Sequence, residues 1–214
     1  ASMETLQSSL SDSDDKEAAS QVVTAARSRL NMLDAGVSII EESMMATEAF
    51  LKARSGWNAV INADAAIREA TALAEEMSKE NILASQAKGN EALAFLEEAQ
   101  QDFSQAEAAY LSLDLAAFKA YVAKRIESQQ AALAADEAYL SRNKEELEAQ
   151  NSRYNALEEE AAALAQELGE DDPEQIVALR FYKEIEADQG AYEAERLKAG
   201  NADAFLREYL GTAS

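Results

Sequence analysis

The 214-residue sequence contains no cysteine and no histidine, and it has only one proline and seven glycines. Without cysteine there is no disulfide framework, no thiol nucleophile and no thiolate metal ligand. Without histidine, zinc loses its other usual ligand, and the Glu-x-x-His pairs of di-iron helical bundles cannot be built. Few prolines and glycines leave few breaks in regular structure. The composition therefore excludes most metal centres and nucleophilic enzymes, and it favours long helices.

Strand signals and basic clusters are missing as well. No run of β-branched and aromatic residues is bounded by Asn-Gly or Asp-Gly turns. The net charge of -22 argues against binding nucleic-acid phosphates or an anionic membrane. Apolar residues are interleaved with charge, so we predict no membrane insertion, and residues 1–15 do not resemble a secretory signal. The charge permits a basic protein partner, although a solvated surface is the simpler interpretation.

The strongest pattern in the chain is a seven-residue repeat between residues 114 and 168. Such a repeat keeps returning to one helical face, and no glycine or proline interrupts it. We therefore predict one rod-like helix about 80 Å long. The repeat consists of Ile126, Leu133, Leu140, Leu147, Tyr154, Ala161 and Leu168.

A second pattern predicts a first helix over residues 16–53, where apolar residues alternate steps of four and three. Arg54–Trp57 is predicted to form a corner, followed by a second helix over about 57–111. The apolar phase slips across residues 78–81, where we favour a change in winding over a real break. The stripe of the first helix comprises Ala19, Val23, Ala26, Leu30, Leu33, Val37, Ile40, Met44, Thr47 and Leu51.

The clearest signal for a helix boundary follows the long helix. Gly169 suits a helix C-cap, Asp172 suits an N-cap and Pro173 suits the first helical position. The helix that follows is predicted to end at Gly200-Asn201, before a short last helix at about 202–210.

These elements predict an all-α fold, an elongated helical bundle with coiled-coil character. Its centre is a long antiparallel hairpin of about 57–111 and 114–168, flanked by shorter helices. Residues 1–15, rich in Ser and Asp, are expected to be a flexible N-terminal lead-in. Residues 16–214 are expected to form a single elongated domain.

No motif for catalysis stands out. Residues 141–144, Ser-Arg-Asn-Lys, match the letters of Ser-x-x-Lys. The companion motifs of that enzyme class are absent, and the match lies inside a predicted long helix. No glycine-rich phosphate loop is present. We therefore predict no catalytic residue, no cofactor and no enzymatic activity.

Cation binding has only weak support. Asp12-Ser13-Asp14 resembles the start of a calcium loop, but Glu17 occupies the glycine position and Val23 the glutamate position. Acidic clusters at residues 158–160 and 170–172 can attract cations weakly, although a solvated helix face and a capping turn explain them more simply. No metal site is predicted.

Partner binding is the remaining class. Tyr110, Phe118 and Tyr121 lie near the predicted hairpin tip, and tyrosine is enriched in contact patches, so we predict them as partner-binding residues. Alternatively, they seal the corner against each other. The stripe of the first helix can equally serve self-association. The predicted function is a non-catalytic helical scaffold, spacer or interaction protein acting through apolar helix faces. The alternatives are an acidic binder or mimic that engages a basic protein by charge, and a weak carboxylate-based cation binder.

Overall fold

The computed structural model describes residues 13–111, 113–169 and 171–212. Within these ranges the chain is helical and contains no strand, which confirms the predicted all-α fold. The predicted lead-in lies outside the described residues, except for residues 13–15, which begin the first helix. The helices are α1 (Ser13–Ala74), α2 (Lys79–Ala109), α3 (Ala116–Leu140), α4 (Lys144–Leu168) and α5 (Pro173–Thr212).

The described residues group into two compact units. Residues 13–44 of α1 and 181–212 of α5 belong to the first, and residues 45–180 form the second. A single domain over residues 16–214 stays a prediction.

The first unit is an antiparallel pair of helices. Polar contacts join the start of α1 to the end of α5, and later residues of α1 to earlier residues of α5. These contacts are Tyr209 hydroxyl to Asp15, Arg29 Nη2 to both oxygens of Asp203 at 2.7 and 2.8 Å, and Ser38 Oγ to Asp188 at 2.6 Å.

The second unit packs four helical segments around an apolar core. Helix α3 packs against α2 and against α4. The core includes the fully buried side chains of Leu96, Phe103, Leu115, Phe118 and Val122. Residues 45–74 of α1 join these helices through the rings of Trp57 and Phe118 and through the ion pairs Lys52–Asp102 and Glu69–Lys88.

The predicted corner at Arg54–Trp57 is wrong, because α1 continues through it. Gly56 does not relax the backbone there. It is buried, and a Cβ on it would lie 2.9 Å from Cε1 of Phe103. The glycine therefore lets α1 approach α2 closely while remaining helical.

The phase slip after Met77 is a real break, so the preference for a change in winding was wrong. Ser78 caps α2, because its hydroxyl accepts a hydrogen bond from the Asn81 N–H at 3.1 Å. Met77 adopts a positive φ of 48°, and its carbonyl accepts a hydrogen bond from the Tyr139 hydroxyl.

The predicted continuous helix over 114–168 is also wrong, since it divides into α3 and α4. Arg142 has a φ of 59°, and its N–H donates to the Tyr139 carbonyl at 3.0 Å, while the Asn143 N–H donates to Ala138 at 2.8 Å. This bonding is a Schellman motif, with arginine where glycine is usual. The Asn143 side chain then caps α4 by accepting from the Glu146 N–H at 3.2 Å.

The predicted hairpin of 57–111 and 114–168 is therefore replaced by shorter segments. Since α3 and α4 fold against each other, both halves of the seven-residue repeat gain helical neighbours without forming a rod. Of the seven repeat residues, Ala161 and Leu168 are buried and the other five are partly buried.

The predicted helix boundary before α5 is confirmed. Gly169 has a φ of 62°, Pro173 begins the helix, and the Asp172 side chain accepts from the Glu174 N–H at 2.8 Å. The predicted end at Gly200-Asn201 is wrong, because α5 continues to Thr212. Ala199 and Ala202 are buried on either side of this dipeptide, so packing maintains the helix across it.

Candidate functional site

The three predicted partner-binding residues lie in the second unit. Tyr110 and Phe118 are only 2% and 1% exposed. The Phe118 ring meets Trp57 edge-on, with ring centroids 5.6 Å apart, and meets Phe103 at 5.8 Å. The α2–α3 corner is thus sealed by aromatic rings, and Tyr110 and Phe118 offer no exposed ring to a partner. Tyr121 is partly exposed.

Tyr121 lies beside a polar cluster that joins three helices. Arg125 of α3, whose side chain is 14% exposed, pairs with Asp64 of α1 at 2.6 Å and with Glu158 of α4 at 3.3 Å. The Ser128 hydroxyl also donates to Glu158. Burial raises the pKa of Tyr121, and the Arg125 charge acts against that rise. Both carboxylates of the cluster pair with the same guanidinium, so we interpret it as a structural link between the three helices.

A cavity of about 270 Å³ with a mixed polar and apolar lining lies farther along the second unit. Its lining includes Ser85, Gln129, Asp136, Asn151 and Tyr154. Burial raises the pKa of Asp136, while the hydrogen bond from Ser85 at 3.2 Å acts in the opposite direction. The cavity has room for several waters. Asp136 is the one carboxylate among its lining residues, so the described cavity lacks a pair of carboxylates.

The acidic clusters do not form a metal centre in the described part of the chain. Within it, no group of three or more carboxylates is arranged to hold a metal ion. Glu158 pairs with Arg125, and Glu160 pairs with Lys124 at 3.0 Å. Asp12 and Glu170, from the other two acidic sequences, lie outside the described residues.

The helices are not suited to crossing a membrane. Over the described residues, each helix is too polar, or its apolar stretches are too short, to span a bilayer.

A continuous apolar surface runs along α1 in the first unit. Its side chains are between 53% and 67% exposed and repeat at steps of three and four. We call this surface the α1 stripe, and it consists of Leu30, Leu33, Val37, Ile40 and Met44. All five belong to the stripe that the sequence predicted for the first helix.

A different face of α1 packs against α5. Ala25 and Ser28 are 2% and 3% exposed, and Met32, Ala35 and Ile39 continue their face with partial burial. At about 100° per residue, this face lies nearly opposite the α1 stripe. Sequence reasoning missed it because its small residues carry a weaker hydrophobic signal than the leucines. Helix α1 thus has two apolar faces in this unit, one packed and one exposed.

The charges beside the α1 stripe are unevenly distributed. Exposed Arg27 and Arg29 flank its N-terminal end, whereas exposed Asp34 and Glu41 flank its middle and C-terminal end. Arg29 is held by both carboxylate oxygens of Asp203. The stripe therefore has a basic end and an acidic end.

Comparisons of the chain with protein families, with characterised proteins and with solved structures find no match. The functional argument consequently rests on the surfaces of the two units. Of these, the α1 stripe has heptad spacing, which is the spacing found at helix–helix interfaces.

Proposed function

We propose that this protein is a non-catalytic interaction or scaffold protein that binds another helix through the α1 stripe. The observation that carries the proposal is the exposure of five large apolar side chains at heptad spacing. At 1.5 Å per residue the stripe extends about 21 Å, or four helical turns. An amphipathic helix can lay its own apolar face along such a surface.

The arrangement of these side chains matters more than their number. Single exposed apolar residues are normal on protein surfaces, whereas a contiguous apolar strip is a feature of binding sites. The strip is bordered by charged side chains on α1, as the heptad positions beside a helix interface usually are. Its geometry therefore favours a helical partner.

The second unit supports the non-catalytic part of the proposal. Its most buried charges pair with each other, as Arg125 does with Asp64 and Glu158. The cavity beside Asp136 offers hydration and a single carboxylate. The ion pairs link the helices of this unit, and we assign them a structural role.

The proposal is tested by comparing variants in affinity capture from the native lysate. Leu33→Asp/Ile40→Asp introduces charge into the α1 stripe. Leu83→Asp/Leu197→Asp is the matched control, because both leucines are exposed and lie outside the stripe. Wild type and control should retain a common partner through a high-salt wash, and the stripe variant should lose it. Equal retention by the stripe variant, with unchanged helicity by circular dichroism, would contradict the proposal.

The net charge of -22 favours one alternative, an acidic protein that engages a basic partner by charge. Such a complex weakens as salt screens its charges. The alternative therefore predicts that wild type releases its partner in the high-salt wash and that Leu33→Asp/Ile40→Asp captures it as well as wild type does. An apolar interface predicts that wild type keeps its partner in the high-salt wash. It also predicts that Leu33→Asp/Ile40→Asp fails to capture that partner.

A further inference from the structure

The cavity beside Asp136 combines one carboxylate, several neutral polar groups and an apolar wall. We infer that it binds a small organic molecule with a primary ammonium at one end, a short apolar body and a hydroxyl at the other end. The cavity lies in the second unit, so this site is separate from the α1 stripe and goes beyond the proposed function. An unpaired carboxylate, an unpaired buried amide and the spacing between them indicate this class of ligand.

Asp136 is a half-buried carboxylate without a cationic partner. Among the described residues, no lysine or arginine pairs with it, and its side-chain hydrogen bond comes from the Ser85 hydroxyl at 3.2 Å. By contrast, Asp64, Asp102 and Glu158 of the same unit each pair with a lysine or an arginine. Burial raises the pKa of Asp136. A cation in the cavity would offset the cost of burying this charge, so the missing partner indicates a positively charged ligand.

Gln129 lines the cavity two helical turns away from Asp136. It is only 4% exposed, and its side-chain amide makes no hydrogen bond to the part of the chain that the structure describes. Gly89 leaves room for this amide, because a Cβ there would lie 2.7 Å from Gln129 Nε2. A buried amide without a partner is costly. We therefore expect it to meet a polar group of the ligand, about 10 Å from Asp136 along the helix axis.

Helix α4 brings further groups to the cavity. It runs antiparallel to α3, and the Ser128 hydroxyl donates to Glu158. Asn151 therefore comes to the level of Asp136, and Tyr154 lies about one helical turn towards Gln129. Asn151 is exposed, so the cavity opens at the carboxylate end, where the Asn151 amide oxygen can accept from an ammonium. Burial raises the pKa of Tyr154, which keeps its phenol uncharged.

The wall between the two polar ends is apolar. It includes Ala132 and the buried Ala70 and Ala135. An apolar cavity of about 150 Å³ holds benzene, so a cavity of about 270 Å³ has room for about ten non-hydrogen atoms. Tyramine has this size, and its ammonium and hydroxyl lie at opposite ends of an apolar body. It is therefore a suitable probe for the inferred class of ligand.

The surrounding charges favour an organic cation over a metal ion. Arg125, whose charge reaches Tyr154, is already paired with two carboxylates, Asp64 and Glu158. This neighbouring cluster therefore does not repel a cation. Ca²⁺ and Mg²⁺ are usually held by several oxygen ligands in a regular geometry. The cavity has one carboxylate, and no metal-holding group of carboxylates occurs in the described ranges.

Calorimetric titration of the full chain at neutral pH with tyramine and with tyrosol tests this inference. In tyrosol a hydroxyl replaces the ammonium, so the two probes differ in charge and hardly in size. Wild type should bind tyramine at least about tenfold more tightly, since hydrogen bonds to charged groups are stronger than neutral ones. Equal affinity for the two probes, or no binding of tyramine up to millimolar concentrations, overturns the inference.

Two variants test whether Asp136 is the carboxylate that recognises the ammonium. Asp136→Asn should bind tyramine no more tightly than tyrosol, because an amide of the same size replaces the carboxylate. Glu137→Gln is the matched control, since it removes the same charge from the adjacent, exposed residue, and it should bind like wild type. Full retention by Asp136→Asn, or an equal loss in both variants, overturns the site. Circular dichroism checks that both variants keep their helicity.

Gln129→Leu tests the other end of the cavity with a side chain of similar volume that lacks the amide. Wild type should bind tyramine about fivefold more tightly than phenethylamine, which lacks the hydroxyl. Gln129→Leu should lose this preference and bind phenethylamine as wild type does. A variant that keeps the wild-type preference for tyramine overturns the assignment of Gln129 to the hydroxyl.

Discussion

Single small residues determine how closely the helices of the second unit approach. Gly56 faces the fully buried Phe103, and Ala53 and Ala63 on the same helix are completely buried. Small side chains at these positions let helix axes approach more closely than leucines would. The tolerance for added atoms is correspondingly low, because protein interiors are close-packed.

Gly56→Ala should lower the free energy of unfolding by about 1–2 kcal/mol, since overpacking outweighs the better helix propensity of alanine. The new Cβ would lie 2.9 Å from Cε1 of Phe103 and 3.2 Å from the backbone oxygen of Ala99. Gly190→Ala is the matched control. A Cβ there meets nothing within 4 Å, so stability should rise by up to about 1 kcal/mol. Urea unfolding measures both, and a stabilising Gly56→Ala would refute the close approach.

Asp136 provides a pH-dependent test at the same scale. Burial raises the pKa of this carboxyl in the folded protein, and the Ser85 hydrogen bond only partly opposes the rise. The folded state therefore binds its proton more tightly than the unfolded state does, and ionisation destabilises the fold as pH increases. The penalty is complete above the folded pKa and absent below the unfolded value of about 3.9.

Asp136→Asn should therefore be more stable than wild type at pH 7, and its advantage should shrink as pH falls through the raised pKa towards about 4. Chemical unfolding at several pH values gives the difference directly. A variant less stable than wild type at pH 7, or an advantage that grows at low pH, would show that the carboxylate is not penalised by burial.

Some helix ends were predicted correctly and others were not, because different types of residue form them. The start of α5 carries glycine, aspartate and proline at Gly169, Asp172 and Pro173, whose backbone preferences leave few alternatives. The breaks at Ser78 and Arg142 lack glycine and proline. Serine occurs in many helix interiors, and an arginine with positive φ has no sequence signal, so those breaks depend on tertiary packing.

Arg142→Gly should raise the free energy of unfolding by about 1 kcal/mol, because the left-handed conformation is costly for arginine and free for glycine. The residue is exposed and has a φ of 59°. Arg153→Gly is the control, since Arg153 is exposed inside α4, and it should lower stability by about 1 kcal/mol. Thermal unfolding compares the two. Destabilisation by both substitutions would argue for an unbroken helix through residue 142.

The sequence also could not show which of the two apolar faces of α1 is buried within the chain. Leu33 and Val37 made the exposed stripe the stronger pattern, while Ser28 and Ala35 marked the face that packs against α5. Both follow heptad spacing, and amphipathicity alone cannot say which one the chain itself covers. The residues of the α1 stripe were predictable, but their exposure was not. Tyr110 and Phe118 are buried at the α2–α3 corner, where the sequence allowed either a binding site or a sealed corner.

At the scale of the whole molecule, the excess of acidic over basic residues produces net electrostatic repulsion. The net charge is -22, from 41 acidic and 19 basic side chains. Such a charge favours solubility and opposes compaction. Many of the basic residues already pair with acids, as Lys124 does with Glu127 and Glu160, so the remaining balance is strongly negative.

Adding NaCl at neutral pH should raise the melting temperature, because screening of the net repulsion outweighs the weakening of exposed ion pairs. Near the isoelectric point of about 4.3 the same salt series should lose most of this effect. Differential scanning fluorimetry gives both series. A melting temperature that falls steadily with salt at neutral pH would mean that ion pairs dominate.

The central claim is that α1 buries one apolar face within the chain and leaves the other exposed for a partner. Thiol alkylation tests it directly, because the chain lacks cysteine and one introduced thiol is unique. At high dilution, Val37→Cys should react nearly as fast as an unfolded chain, and Ser28→Cys on the buried face should react on the order of a hundredfold more slowly. Equal rates, or a protected Val37→Cys at high dilution, would contradict the account.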